Sequence, residues 1–316
     1  MTNQTEDIVH KPVLLREVLE TLEVRQGGIY ADFTCGFAGH SSRIAEKLGG
    51  QGLLIAVDQD IQALTYARER LSRYENVLYV CDNFSNIVNI LENLKIEKID
   101  GALIDLGVSS FQLDETSRGF SYNNDAPLDM RMSRENPLDA RCVVNNYSRA
   151  QLKQIISDYG EERYAGNIAS AIERARAQGE IETTHQLVDI IRTAIPRSSK
   201  NDGPHPAKRT FQAIRIEVNN EINIIEPFIN SAVSRMNPEG RLAAITFHSL
   251  EDRAVKQAFV KHTTGCTCPK SFPICVCGKT PNASLINRKP ITAGEQELAE
   301  NPRSRSAKLR GLKILK

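Results

Sequence analysis

The stretch Asp32-Phe33-Thr34-Cys35-Gly36-Phe37-Ala38-Gly39-His40-Ser41 constrains this chain more than any other. An apolar run, Ile29 to Phe33, enters a turn of small residues. A helical pattern with Ile44, Ala45 and Leu48 on one side leaves that turn and stops at Gly49-Gly50. Glycine and alanine let a backbone approach a ligand closely, and a helix start presents N–H groups without intrahelical partners. A second apolar run, Leu53 to Val57, ends in Asp58, where a carboxylate can grip both hydroxyls of a ribose. The pattern predicts an α/β fold that binds a nucleoside-containing cofactor at the carboxyl ends of parallel strands.

Taken alone, Gly36-x-x-Gly39 also fits a plain strand–helix turn, and it lacks the G-x-G-x-x-G spacing of a dinucleotide fold. Asp58 adds weight, as does the Asp82-Asn83-Phe84 step after the third apolar run, Val77 to Val80. Phe84 can lie on the flat face of an adenine. Loop, ribose acid and polar–aromatic step together suit S-adenosyl-L-methionine better than NAD.

The 316 residues suffice for two domains, or for one large domain with an insertion. A hydrophobic content of 41% and a charged content of 25% fit a globular protein. No apolar run approaches the ~18 residues that cross a bilayer, so no membrane partner is expected. Met1 to Lys11 is polar and carries Glu6 and Asp7, without the look of a secretory signal. Seven cysteines then point to a reducing, cytoplasmic setting. Net charge is only +1, yet it is uneven. Arg303, Arg305, Lys308, Arg310, Lys313 and Lys316 close the chain without an acid. Arg197, Lys200, Lys208, Arg209 and Arg215 surround a stretch whose one acid is Asp202. Such patches suit phosphate contacts, although a solvated surface explains the charge equally well.

Along the chain, a first helix is expected from Pro12, with Leu15, Val18, Leu19 and Leu22 on one side. Three strand–helix units follow to about residue 95. A fourth strand, Ile99 to Leu106, is apolar enough to be buried on both faces of a parallel sheet. Residues 113 to about 147 show no period. Three helices are then predicted, the first capped by Ser148 and ending at Gly160, the second ending at Gly179, the third capped by Thr184 and stopped by Pro196. A long helix with Ile214 to Val233, bent at Pro227, precedes a strand from Gly240 to Phe247. His248 opens another helix, and Lys308 to Leu315 forms the last strand. The expected domains are a core at residues 1–112 and 214–316, and an inserted all-helical domain at 113–213.

These residues resemble the bacterial MraW/RsmH family. The resemblance is carried by Asp32 to Ser41, Asp105-Leu106-Gly107-Val108-Ser109-Ser110-x-Gln112-Leu113-Asp114, Arg118-Gly119-Phe120-Ser121 and Pro127-Leu128-Asp129-Met130-Arg131-Met132. Tyr159-Gly160-Glu161-Glu162-Arg163, His205 to Ile216, Phe247 to Arg253 and Asn301 to Ser306 complete it, in order, from about Lys11 to the end. It implies a Rossmann-like, S-adenosyl-L-methionine-dependent methyltransferase with an inserted helical domain. The implied target is the exocyclic N(4) amine of one cytosine in the decoding centre (P site) of 16S ribosomal RNA, within the small subunit. The family's cofactor positions fall here on Ala38, Gly39, His40, Asp58, Phe84, Asp105 and Gln112. The chain departs from the family at Ala38, where a glycine is usual, and at Cys35, where an aromatic is usual. A homodimer is left open.

Methyl transfer from a sulfonium is an in-line displacement, governed by position and orientation. A cytosine amine is a poor nucleophile, and an acceptor on its N–H would enrich its lone pair and then take its proton. Asp105, at the end of the fourth strand, is the candidate for that role, with cofactor binding alone as the other reading. Ser109 and Ser110 can shape a cytosine pocket or bond their own loop. His40 is read as a backbone donor. Ser249 with Asp252 can cap the following helix, while His248 faces the crevice as a candidate substrate contact. Lys208, Arg209 and Arg215, with the loop from Pro196 to Thr210, are expected to meet RNA. A dehydrogenase using NAD and a non-catalytic RNA-binding assembly factor are the rival readings. Cys266-x-Cys268 and Cys275-x-Cys277 could hold a tetrahedral zinc. Their spacing is tighter than C-x-x-C and the family's chemistry needs no metal, so a reduced, metal-free loop is the expectation.

Overall fold

The computed structural model describes residues 11–196, 205–269, 272, 274 and 276–316. Arg197, Lys200, Asp202 and Cys275 lie outside these described residues, as do the side chains of Ser110 and Phe111. The chain divides into two units, Met1–Gly107 with Asn223–Lys316, and Val108–Ile222. In the first, α1 (Leu15–Leu22), β1 (Ile29–Asp32), α2 (Gly39–Leu48), β2 (Leu53–Asp58), α3 (Ile61–Arg70), β3 (Val77–Cys81), α4 (Ile87–Asn93) and β4 (Ile99–Asp105) follow in order. The second holds α5 (Ser110–Asp114), α6 (Ala140–Asn146), α7 (Arg149–Asp158), α8 (Ala165–Arg176), α9 (Thr184–Ala194) and α10 (Lys208–Asn219). The chain re-enters the first unit with α11 (Ile225–Ser234), β5 (Met236–Thr246), α12 (Ser249–Thr263), β6 (Ala283–Leu285), α13 (Glu295–Glu300) and β7 (Lys308–Ile314).

The seven strands among the described residues form one sheet, ordered β3-β2-β1-β4-β5-β7-β6. The first five pair in parallel, and β7 runs antiparallel to both of its neighbours. Leu54 to Val57 and Ala102 to Ile104 are buried, as the unbroken apolar runs require of strands covered on both faces. This is a Rossmann-like sheet. Its order reverses beside β1, with β2 and β3 on one side and β4 and β5 on the other, and ligands bind such sheets beyond the carboxyl ends at that point. Gly101 makes the central pairing possible, because a Cβ there would stand 2.4 Å from the Tyr30 ring.

Several boundaries differ from the sequence reading, each for a local reason. The first helix begins at Leu15 rather than Pro12, since Leu14 takes φ 54° and leaves the right-handed path. The single helix expected from Ile214 to Val233 is two. Asn220, at φ 51°, ends α10, and Pro227 is the third residue of α11, where a missing N–H costs no intrahelical bond and causes no bend. The first of these helices belongs to the second unit, so the units meet in sequence at 107/108 and 222/223 rather than at 112/113 and 213/214. Thr183, not Thr184, caps α9 through a reciprocal box with Gln186. The Thr184 hydroxyl instead donates to the Asn124 carbonyl at 2.7 Å and accepts the Ala126 N–H at 3.0 Å.

The aperiodic stretch before Ser148 hides α6, capped by Asp139 and burying Ala140, Val143 and Val144. These three join Leu152, Ile156, Ile168, Ile172 and Leu187 in the core of the second unit. Gly160 ends α7 where a Cβ would meet the Arg209 carbonyl at 2.8 Å, so glycine lets the start of α10 close on that turn. Ser148 forms the expected cap, completed by Gln151.

Candidate active site

Three carboxylates stand at the carboxyl ends of adjacent strands: Asp58 on β2, Asp32 on β1 and Asp105 on β4. Asp58 Oδ2 accepts the Gly36 N–H at 2.8 Å, and Oδ1 accepts the Asp60 N–H at 2.9 Å. Asp58 thus ties the turn after β1 to the end of its own strand. Gly36 and Ala38 both take left-handed backbone, at φ 49° and 57°, which swings the chain into α2. The Cys35 N–H donates to the Val57 carbonyl at 2.9 Å and the Ala38 N–H to the Cys35 carbonyl at 2.7 Å, holding that turn. Burial pushes the Asp58 carboxyl up to about 6, against the two N–H groups that favour its charge.

Asp32 is the residue that sequence reasoning passed over. It is 1% exposed, with the Ser41 hydroxyl donating to Oδ2 at 2.6 Å and the Thr34 N–H to Oδ1 at 3.2 Å. Burial raises it to about 6 against those bonds. The Thr34 hydroxyl accepts the Asp105 N–H at 2.6 Å, so one turn links the ends of β1 and β4. An acid closing an apolar strand, with Thr two residues on and Ser nine residues on, was the available signal.

Asp105 Oδ1 is buried and has no hydrogen-bond partner among the described residues. Burial, reinforced by the charges of Asp32 and Glu251, lifts this carboxyl well above the ordinary range. Beside it, the buried His40 ring donates from Nε2 to the Val13 carbonyl at 2.9 Å. Burial drives its pKa down to about 4, the Val13 bond opposing. The ring is therefore neutral, and its bare Nδ1 lies 3.9 Å from Asp105 Oδ2. That pair is close but is no ion pair.

At the end of β5 the cap expected from Ser249 and Asp252 is shifted by one residue. His248 is the N-cap of α12, with Nδ1 accepting the Glu251 N–H at 3.4 Å. Glu251 Oε2 returns to accept the Phe247 N–H at 2.7 Å and the His248 N–H at 3.3 Å. Asp252 turns the other way and holds Arg310 of β7 at 2.7 Å. Phe84 lies mostly in the core, 8% exposed, its ring edge-to-face with Phe228 at 5.2 Å.

In the second unit, Ser109 and Gln112 bond each other, and Gln112 Nε2 also donates to the Met132 carbonyl at 3.4 Å. The Ser109 N–H donates to Gln112 Oε1 at 3.1 Å, and the Gln112 N–H to Ser109 Oγ at 3.2 Å, capping α5. The expected RNA contact Arg215 is corrected: it is half-buried and doubly bonded to the buried Glu221, both bonds at 2.8 Å. Lys208 and Arg209 are exposed at the start of α10, with Arg209 donating to the Glu161 carbonyl at 3.2 Å. The sulfurs of Cys266, Cys268 and Cys277 all lie within 4.8 Å of one another.

Residues 7–315 match the model of the MraW methylase family. A protein of Clostridium botulinum strain 657, named Ribosomal RNA small subunit methyltransferase H, is 55% identical over 301 residues, spanning 95% of this chain and 97% of that one. The protein of the same name from strain Kyoto is 55% identical over the same shares. A solved rRNA methylase from Streptococcus thermophilus covers 96% of this chain and 94% of its own at 13% identity, with a TM-score of 0.42, too loose a likeness to bear on the site. On the family match and these identities, the chain belongs to the MraW methylase family.

Proposed function

We propose that the protein methylates the N(4) amine of one cytosine in the decoding centre of 16S ribosomal RNA, using S-adenosyl-L-methionine in the cytoplasm. The observation that carries the reading is the pairing of Asp58, beside the left-handed turn Gly36 to Ala38, with Asp105, whose Oδ1 is buried without a partner among the described residues. These residues fit the cofactor. A carboxylate offers about four acceptor sites, so Asp58 keeps capacity for two ribose hydroxyls while holding Gly36 and Asp60. The start of α2, from Gly39 and His40, adds backbone N–H groups to the same turn.

When bound, S-adenosyl-L-methionine supplies an electrophilic methyl group on a sulfonium. Asp105 accepts from the cytosine amine, turning its lone pair toward the methyl carbon, and takes the proton that the amine releases. Burial, with Asp32 and Glu251 nearby, raises the proton affinity of this carboxylate, which favours taking up that proton. His40 holds its proton on Nε2 against Val13, so the ring places no positive charge beside Asp105. Ser41 and Thr34 fix Asp32, and through the Thr34 hydroxyl they fix the backbone from which Asp105 projects. The exposed Lys208 and Arg209 are the second unit's candidates for RNA phosphates. The target base leaves its stack to react, which costs on the order of a few kcal/mol.

Tritiated methyl transfer onto small subunits from cells lacking the protein, followed by nucleoside analysis, tests this reading. N(4)-methylcytidine is the expected product. Label on another base, or none on any subunit, overturns it.

A further inference from the structure

We propose that Cys266, Cys268 and Cys277 are ligands of a structural zinc ion that staples the segment between α12 and β6. Three thiols from two parts of one loop converge here, all within 4.8 Å. Cys277 Sγ and Cys266 Sγ are 3.8 Å apart. A tetrahedron of sulfurs around zinc at about 2.3 Å has an edge of about 3.8 Å, whereas a disulfide needs about 2.05 Å. The spacing is that of ligands, not of a bridge.

A second observation points the same way. Each of the three sulfurs accepts a backbone N–H: Cys277 from Thr267, Cys266 from Cys268 and Cys268 from Val276, all at 3.4 Å. Backbone donors around a metal-bound thiolate offset its charge and fix its direction. Neutral thiols in a solvent-exposed loop gain little from such an arrangement. The expectation of a metal-free loop rested on the tight C-x-C spacing and on a chemistry that needs no metal; a structural ion leaves the second ground untouched, and folding removes the first, because Cys277 arrives from across the loop.

Burial does little to hold the loop. None of the described residues from 261 to 282 is buried, and Phe272, Ile274 and Val276 point their apolar side chains outward. Its base is pinned where the Asn282 N–H donates to the His262 carbonyl at 3.1 Å. Beyond that pin no apolar core offsets the entropy of ordering the chain, which is the setting in which metal ligation substitutes for burial. The 15 residues of α12 separate this cluster from His248 by about 22 Å along the helix. The metal is therefore structural and takes no part in the proposed methyl transfer. Cys275 lies outside the described residues, and the site stands on the other three.

Untagged full-length protein, purified without chelator, is predicted to carry about one zinc per chain by elemental analysis. Cobalt(II) exchanged into it should show thiolate-to-metal charge-transfer absorption and intense visible bands of a tetrahedral ion. The C266S/C268S variant should lose both, while Cys81→Ser, an exposed cysteine elsewhere, should keep them. In case the double variant folds poorly, trypsin cleavage after the exposed Lys279 gives a second readout on unmodified protein. Chelator should speed that cut and added zinc should slow it again. Less than about a tenth of a zinc per chain, with cleavage indifferent to chelator and to zinc, overturns the proposal.

Discussion

His40 Nδ1 faces Asp105 Oδ2 at 3.9 Å with no proton of its own to offer, because the ring's single proton is committed to the Val13 carbonyl. Two acceptors thus confront each other at the end of β4, and the arrangement disfavours a charged Asp105 until a donor enters. Asp105→Asn keeps the shape and removes the basic oxygen. Methyl transfer should fall by about 10²- to 10⁴-fold, with S-adenosylhomocysteine binding by calorimetry nearly unchanged. Equal losses in both would make Asp105 a cofactor ligand alone.

Asp58→Ala should weaken S-adenosylhomocysteine binding by about 2–4 kcal/mol through lost charge-assisted hydrogen bonds. The variant also strips the Gly36 and Asp60 N–H groups of their acceptor, so the turn itself should loosen. Hydrogen exchange at Gly36 reads that second effect. Wild-type affinity in a folded variant would dismiss the ribose assignment.

Asp32 carries a pH signature. Its folded pKa of about 6 lies above the ordinary 3.8, so the folded state binds the proton more tightly than the unfolded chain. Its contribution to stability is full below about pH 4 and is lost as the pH rises through 6. Asp32→Asn removes the ionisation, so its stability relative to wild type should improve between pH 4 and 7, by up to about 3 kcal/mol. Denaturant melts of both proteins across that range measure the difference, and parallel curves would refute the assignment. His40 works in the opposite sense: with a folded pKa of about 4 it stays neutral while the unfolded ring charges, so acid below about pH 6.5 weakens the fold through it.

Arg215 and the pair Lys208 and Arg209 should separate cleanly. Arg215→Ala leaves the buried Glu221 without its bidentate partner and should cost about 3–5 kcal/mol of stability. Replacing Lys208 and Arg209 with alanine should barely move the melting temperature. It should weaken RNA binding and flatten its logarithmic salt dependence by about one to two units. An unchanged salt slope makes that surface merely solvated.

His248 caps α12, so His248→Ser, which puts a favoured capping residue there, should melt close to wild type, while His248→Ala should lose about 1 kcal/mol. Thermal melts rank the two. If the serine variant melts like wild type yet methylates slowly, the imidazole touches substrate.

Periodicity found the strands of the first unit because parallel strands buried on both faces read as unbroken apolar runs. Leu53 to Val57 needed no context. What escaped was set by single residues acting through conformation or contact. Asn220 in left-handed backbone splits a helix whose apolar spacing runs on without a break. Asp139 starts α6 inside a polar stretch too short to show a period. At the candidate site, Asp58 and Asp105 were legible as acids closing strands, and Asp32 had the same grammar but was read only as part of a turn. The fates of Phe84, Gln112 and Arg215 depended on Phe228, Ser109 and Glu221. In Phe84's case the partner is distant in sequence, and composition cannot say which of two plausible partners a side chain will choose.

The pairing of β4 with β5 has a consequence for the order in which the molecule is made. Residues 106–235 lie between two strands that hydrogen-bond side by side, and the whole of the second unit falls inside that interval. As an open coil this excursion adds on the order of 1 kcal/mol to the closure cost of an ordinary crossover, and more importantly it slows the search. The core of the second unit is built from its own residues, Phe120 to Val218, so it can condense first and shorten the effective loop. Until β5 is made, one flank of β4 has no strand to pair with. A destabilised second unit would then show its defect as delayed assembly of a sheet in which it has no strand.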